Sequence, residues 1–197
     1  MRDIYYGDKR DLIKWGVLLR LAGTTDAQRI LQVAYYRPSN FSPIIIDGEP
    51  NDVPKEVLAH FRDLRSIGSI VSRPRVTVFD QLFEDRDAYL QEVVALVSAM
   101  AHERCLVFLD PDTGLEPKSK PGLQHVLGRE ARAIWETMKR DDLFVFYQHQ
   151  TNRTGLPWIE KKREQLTGAL GVRLDVVKTA QAPGIARDVV FFYAQRE

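Results

Sequence analysis

Two short polar segments contain residue types that can do chemistry. Each of them begins where an apolar run ends. Residues 110–114 (DPDTG) follow the apolar run 105–109, and His149 closely follows the apolar run 143–147. Ligands in open α/β sheets bind beyond the carboxyl ends of the strands. Two carboxylates at i and i+2 suit a cation, an amine or a ribose hydroxyl, and an imidazole serves as base, ligand or donor near neutral pH. We therefore predict Asp110, Asp112 and His149 as catalytic residues.

A structural explanation competes with this interpretation. The pattern Asp-Pro-Asp-x-Gly is also favourable turn chemistry, because Asp caps backbone N–H groups and Gly supplies positive φ. The functional interpretation is favoured for Asp110, whereas both interpretations stay open for Asp112 and His149. The other histidines lie in or beside predicted helices, where a structural or solvated role is expected: His60, His102 and His125.

The N-terminal segment contributes a third candidate patch. Asp11 and Lys14 are three residues apart and share one face of a predicted helix. Gly7 allows the backbone to approach a ligand closely. The structural alternative is a capped helix start with a surface ion pair.

This N-terminal spacing resembles the leading motif of the large-subunit ribosomal RNA adenine-N6 methyltransferases. In that family a Gly, a later Asp and a Lys-His pair precede the first strand and help to bind S-adenosylmethionine. The resemblance implies that Gly7, Asp11 and Lys14 bind this cofactor. The family also carries Asp-Pro-Pro-Tyr after its fourth strand, and Asp110 and Pro111 match the start of that motif. The resemblance further implies that Asp110 grips a target amine on a nucleic acid or nucleotide.

The chain departs from the family at several positions. Trp15 replaces the His, Asp112 replaces the second Pro, and Thr113 replaces the aromatic residue that stacks on a flipped base. The first predicted strand is followed by residues 34–38 (AYYRP), which lack the Gly-x-Gly turn that cradles the cofactor. The chain is also similar to uncharacterised bacterial proteins that carry Asp-Pro-Asp-Asn/Thr-Gly and Tyr-Gln-His motifs.

Alternating helical and strand patterns predict the elements that position these residues. The expected fold is a three-layer, Rossmann-like α/β domain with a mainly parallel sheet and a C-terminal antiparallel hairpin. The strands 105–109 and 143–147 are expected to be neighbours. Predicted helices cover 8–22, a segment from Pro54, 85–102, 124–139 and 157–170. Predicted strands cover 29–36, 75–79, 105–109, 143–147, 172–177 and 188–194, and residues 38–52 are expected to form a long loop.

Composition sets broad limits on the class of protein. The 197 residues suit one domain spanning 1–197, and the 28 basic and 27 acidic side chains give no overall reason to expect nucleic acid or a membrane as partner. The lone Cys105 within an apolar run predicts a buried thiol in a reducing compartment. The N-terminal residues lack a signal-peptide pattern, and no run approaches the roughly 18 apolar residues of a membrane span. These features predict a cytoplasmic protein and leave its oligomeric state open.

Three functions are consistent with these patterns. The first is a divergent S-adenosylmethionine-dependent methyltransferase, with no metal assigned. The second is a Mg²⁺-dependent phosphodiesterase or nuclease, in which carboxylates hold the metal while His149 or a lysine handles phosphate. Its ligands would be Asp110, Asp112 and Glu116, with Lys118 or Lys120 as the phosphate contact. The third is a domain that binds a nucleotide or a protein without catalysis.

Overall fold

The computed structural model describes residues 7–40, 43–150 and 157–197. In these ranges the α-helices are α1 (Lys9–Thr24), α2 (Lys55–Arg62), α3 (Arg86–Ala99), α4 (Gly128–Thr137) and α5 (Trp158–Leu170). The strands are β1 (Arg29–Val33), β2 (Ile44–Ile46), β3 (Glu49–Asn51), β4 (Arg75–Phe79), β5 (Cys105–Leu109), β6 (Gly114–Leu115), β7 (His125–Val126), β8 (Leu143–His149), β9 (Lys178–Ala180) and β10 (Val189–Gln195).

Six of these strands form the central sheet, in the order β4-β1-β5-β8-β10-β9. Strands β4, β1, β5 and β8 run parallel, and β10 pairs antiparallel with both β8 and β9. Every residue of β5 is buried, as expected for a central parallel strand covered on both faces. The predicted mainly parallel sheet, the neighbouring positions of β5 and β8, and the C-terminal antiparallel pair are confirmed.

Helices cover both faces of this sheet and give the predicted three layers. On one face, α1 packs its apolar side against alternate residues of the central strands, among them Leu18 against the layer that contains Leu106 and Phe108. On the other face, α3, α4 and α5 pack against the intervening residues, including Val107 and Phe146. Successive side chains of a strand point to opposite faces, so each face has its own core.

The start of α1 explains how the polar residues of the N-terminal motif become buried. Asp8 caps the helix by accepting hydrogen bonds from the backbone N–H groups of Arg10 at 2.7 Å and Asp11 at 3.1 Å. The buried side of the helix includes Ile13, Trp15 and Leu18, and it also carries Asp11 and Lys14. Packing of this apolar side on the sheet therefore carries two charged side chains inward.

Several local predictions are wrong. The first strand and the fourth helix are shorter than predicted, because β1 ends at Val33 and α4 begins at Gly128, after β7. Residues 172–177 do not form a strand; Leu174–Val176 form a 3-10 turn, and β9 begins at Lys178. Residues 38–52 contain the hairpin β2–β3, because Ile44–Ile46 pair with Glu49–Asn51. Strand β8 extends through Gln148 and His149, because β10 continues to pair with it up to Val189 opposite His149.

Cys105 is a free, buried thiol, as predicted. Among the residues that the structure describes, no helix has both the length and the apolar character needed to cross a membrane.

Candidate functional site

A cleft of about 530 Å³ opens at the carboxyl ends of the parallel strands. It brings together five of the six predicted site residues, from three separate stretches of the chain. These five are Asp11, Lys14, Asp110, Asp112 and His149. The remaining lining residues are Asp8, Arg10, Arg37, Pro111, Thr113, Gln124 and Tyr147.

Strand alternation explains why these side chains meet. Tyr147 lies on the sheet face that α1 covers, and His149, two residues further along β8, shares that orientation. On β5, Phe108 lies on the same face, and Asp110 follows it by two residues. Helix α1 carries Lys14 over this face. The cleft therefore follows from the sheet's two-residue period together with the position of α1.

A buried ion cluster forms the floor of the cleft. Lys14 Nζ lies 2.5 Å from Asp11 Oδ1 and 2.9 Å from Asp110 Oδ2. Gln32 Nε2 donates a hydrogen bond of 2.7 Å to the same Asp110 oxygen. Lys14 is 4% exposed and Asp110 is 2% exposed. Charges this deeply buried persist only when they are paired and hydrogen-bonded, as they are here.

Burial and the neighbouring charges act in opposite directions on the pKa values of this cluster. Burial tends to lower the pKa of Lys14, but the carboxylates of Asp110 and Asp11 outweigh it and raise the pKa above its ordinary value. Burial raises the pKa of Asp110, and the Lys14 ammonium opposes that rise. Lys14 Nζ also lies 5.9 Å from the centre of the Tyr147 ring, a cation–π distance. Lys14 is thus held as an ammonium, which suits it to place positive charge rather than to act as a nucleophile or base.

Gly7 has a supporting place in this arrangement. Its φ is +79°, in the region that favours glycine, and its N–H donates a 2.7 Å hydrogen bond to Asp11 Oδ2. Gly7 does not belong to the residues that line the cleft. Its contact with Asp11 orients that carboxylate, and the predicted contact with a cofactor stays a prediction.

Gln148 joins two motifs, residues 110–114 (DPDTG) and residues 147–149 (YQH), through hydrogen bonds. This buried side chain accepts a hydrogen bond from the N–H of Leu115 at 2.9 Å and donates to the carbonyl oxygens of Thr113 at 3.1 Å and His149 at 2.7 Å. Gly114 has a φ of +127°, and a Cβ atom there would lie 2.3 Å from Gln148 Oε1. The Gly and the Gln of the two motifs therefore have structural roles.

Asp112 and His149 each have a charged partner close by. Arg37, four residues beyond the end of β1, donates a hydrogen bond from Nη2 to Asp112 Oδ2. His149 Nε2 lies 3.1 Å from Asp188 Oδ2, and Arg10 Nη2 donates to the same oxygen at 2.6 Å. Burial tends to raise the pKa of Asp188, but the hydrogen bond and the charge of Arg10 outweigh it and lower the pKa below its ordinary value.

Sequence reasoning missed three of these charged residues: Arg10, Arg37 and Asp188. Arg37 lies just beyond the carboxyl end of β1, so the rule that identified Asp110 also points to it. Asp188 precedes an antiparallel strand, whose start lies at the same edge as the ends of the parallel strands. Finding Asp188 from the sequence would have required the pairing of β10 with β8.

The turn after β1 is built without the glycines that the resemblance calls for. Tyr35 has a φ of +46°, and its N–H donates a 2.8 Å hydrogen bond to the Tyr89 hydroxyl. Its ring lies 5.0 Å from that of Phe83 and 5.3 Å from that of Tyr89, measured between ring centres. Aromatic packing thus holds a non-glycine residue in a conformation that is unusual for it.

The third ligand expected for a metal ion, Glu116, lies away from the other two. Glu116 does not line the cleft; its Oε1 accepts a 2.8 Å hydrogen bond from the N–H of Gly128 at the start of α4. Lys118 and Lys120 also lie outside the lining. Across residues 7–40, 43–150 and 157–197, no group of three or more His, Cys, Asp or Glu side chains is arranged to hold a metal ion.

The histidines set aside in the sequence lie away from the cleft lining. His125 is buried, and its Nδ1 accepts a 3.1 Å hydrogen bond from the N–H of Gly122, which gives it a structural role. The side chain of His102 is largely exposed and lies 3.4 Å from Glu103. His60 is exposed and makes an edge-to-face contact with Phe61.

Comparison with known proteins adds no assignment. No protein-family model matches the chain, and no curated protein matches it significantly.

Proposed function

We propose that the chain is a divergent S-adenosylmethionine-dependent methyltransferase that acts in the cytoplasm on an amine of a nucleic acid or nucleotide. The observation that supports this proposal is the 2.9 Å contact between Lys14, from the leading motif, and Asp110, from the motif after β5. The two segments that carry the resemblance are far apart in sequence and meet in one cleft. The antiparallel C-terminal strand pair is also the ending that such methyltransferases have.

The size of the cleft and its charged side chains support the proposed cofactor, whereas the turn after β1 lacks the cradling glycines of the family. Its volume of about 530 Å³ is within the range of small-molecule sites. Carboxylates such as Asp11 and Asp112 suit an ammonium group, a sulfonium or ribose hydroxyls, and the guanidinium of Arg37 suits a carboxylate. When bound, the cofactor supplies an electrophilic methyl group. The side chains that line the cleft would bind the cofactor. Asp110 would orient the acceptor amine, and a base in the cleft would remove a proton from that amine.

Calorimetric titration with S-adenosylmethionine and with its demethylated product tests the proposal. The wild-type chain is expected to bind both. Asp11→Ala and Lys14→Ala are expected to weaken binding by roughly tenfold or more, because each removes a charged hydrogen-bonding group from the cleft. Lys9→Ala is the matched control, since Lys9 is exposed on the same helix and is expected to leave the affinity unchanged.

The outcomes separate the three functions. Absence of binding by the wild-type chain would contradict the methyltransferase proposal. Binding of Mg²⁺ or Mn²⁺ that disappears in Asp110→Asn would favour the metal-dependent function instead. If the cofactor and both metals fail to bind, a domain without catalysis becomes the better explanation. Transfer of a radiolabelled methyl group to RNA or to free nucleotides would identify the acceptor class.

A further inference from the structure

Three side chains from distant parts of the chain converge at one side of the cleft. His149 ends β8, Asp188 directly precedes β10, and Arg10 lies in the first turn of α1. A single oxygen, Asp188 Oδ2, lies 3.1 Å from His149 Nε2 and 2.6 Å from Arg10 Nη2. The antiparallel pairing places Val189 opposite His149 and thereby fixes the imidazole and the carboxylate side by side.

The charges in this group determine which imidazole nitrogen carries the lone pair. Arg10 favours the ionised form of Asp188, and an ionised carboxylate accepts hydrogen bonds without donating them. Nε2 of His149 must therefore carry the hydrogen, and in the neutral ring the lone pair then lies on Nδ1. No residue in the described part of the chain forms a hydrogen bond with Nδ1. The side chain is 33% exposed and belongs to the cleft lining.

We infer that His149 is the proton acceptor of the cleft and that Asp188 and Arg10 are the residues that position it. The inference rests on the proposed function. His149 Nδ1 takes the proton that the acceptor amine loses when its nitrogen bonds the methyl carbon, and the electron pair of the broken carbon–sulfur bond stays on sulfur. A carboxylate that orients a histidine, which in turn removes a proton, is a recurring arrangement in enzymes.

Chemical modification by diethyl pyrocarbonate tests this inference without requiring turnover. The reagent acylates an imidazole nitrogen that has a lone pair, and peptide mass spectrometry gives a separate rate for each histidine. At pH 7.5 His149 is expected to react readily in the wild-type chain. Asp188→Asn preserves shape but removes the charge that fixes the tautomer and raises the basicity of the imidazole, so it is expected to lower that rate several-fold.

The same experiment contains its controls. Exposed His60 is the internal reference and is expected to react at the same rate in every variant. Asp188→Glu is expected to restore most of the His149 rate, which a general loss of folding would not allow. An unreactive His149 in the wild-type chain, or an unchanged His149 rate in Asp188→Asn, would overturn the inference.

Calorimetry on the same samples distinguishes this inference from the proposed function. Cofactor binding with an unreactive His149 supports the methyltransferase proposal and refutes the role of His149. A reactive, Asp188-dependent His149 without cofactor binding refutes the methyltransferase proposal, while the positioned imidazole remains as the base of a different reaction.

Discussion

Replacing Lys14 with methionine is expected to lower the free energy of unfolding by about 3–5 kcal/mol, the usual cost of removing one partner from a buried ion pair. Methionine retains most of the methylene chain, so the loss of stability reflects the missing charge rather than lost packing. Without the ammonium, the carboxylates of Asp11 and Asp110 are left buried next to each other, and Asp110 retains Gln32 as a hydrogen-bond donor. Urea denaturation followed by circular dichroism measures the change.

Two further variants show whether the buried charge is the cause. Lys14→Met combined with Asp110→Asn removes one cation and one anion, and it is expected to recover part of the lost stability because an uncharged amide replaces one of the two buried carboxylates. Lys9→Met changes an exposed lysine on the same helix and is expected to shift stability by less than about 0.5 kcal/mol. A cost below about 1 kcal/mol for Lys14→Met would show that the cluster does not depend on its ammonium.

The position of the cleft was predictable from local sequence patterns. A short apolar run that is buried on both faces identifies a central parallel strand, and its carboxyl end marks the ligand edge of the sheet. These two steps led to Asp110 and to the neighbouring end of β8, and the structure brings both together. Their catalytic roles stay predictions.

The environment of Asp110 was not predictable from the sequence. Its place directly after β5 predicted the ligand edge of the sheet but not that the side chain would be buried against Lys14 and Gln32. These contacts depend on how α1 crosses the sheet and on which face of β1 carries Gln32. Neither is a local property of the DPDTG segment.

Long-range pairing also explains the missed partner of His149. The hydrogen bond to Asp188 depends on the register between β8 and β10, which are separated in sequence by α5.

Hydrophobic spacing predicted that a helix follows Pro54 but not how that helix packs. Helix α2 forms as expected, yet none of its residues is buried, and Val57 and Phe61 are exposed. Hydrophobic periodicity identifies a helix or a strand, whereas the elements that it packs against depend on the whole fold.

Replacing Gly114 with alanine is expected to lower the free energy of unfolding by about 3 kcal/mol, because two penalties coincide. The backbone φ of +127° is unfavourable for any residue with a Cβ atom, and that atom would lie 2.3 Å from Gln148 Oε1. Gln148 cannot move aside without losing its hydrogen bonds to Thr113, Leu115 and His149. The measurement is again urea denaturation.

Gly16→Ala is the matched control for this prediction. Gly16 lies in the exposed side of α1, and nothing lies within 4 Å of a Cβ atom built there, so the same change is expected to stabilise the helix by about 0.5–1 kcal/mol. A loss of stability in Gly114→Ala together with a gain in Gly16→Ala would show that the loss comes from the backbone conformation of Gly114 and its contact with Gln148.

A double variant separates the clash with Gln148 from the backbone strain. Gln148→Ala removes the clashing side chain together with its hydrogen bonds, so it is destabilising by itself. Once that side chain is gone, Gly114→Ala is expected to cost about 1–2 kcal/mol, which is the backbone penalty alone. The two changes together should therefore cost less than the sum of the single changes. Strict additivity would show that the Gly114 and Gln148 positions are not coupled and that the two motifs are held together by other contacts.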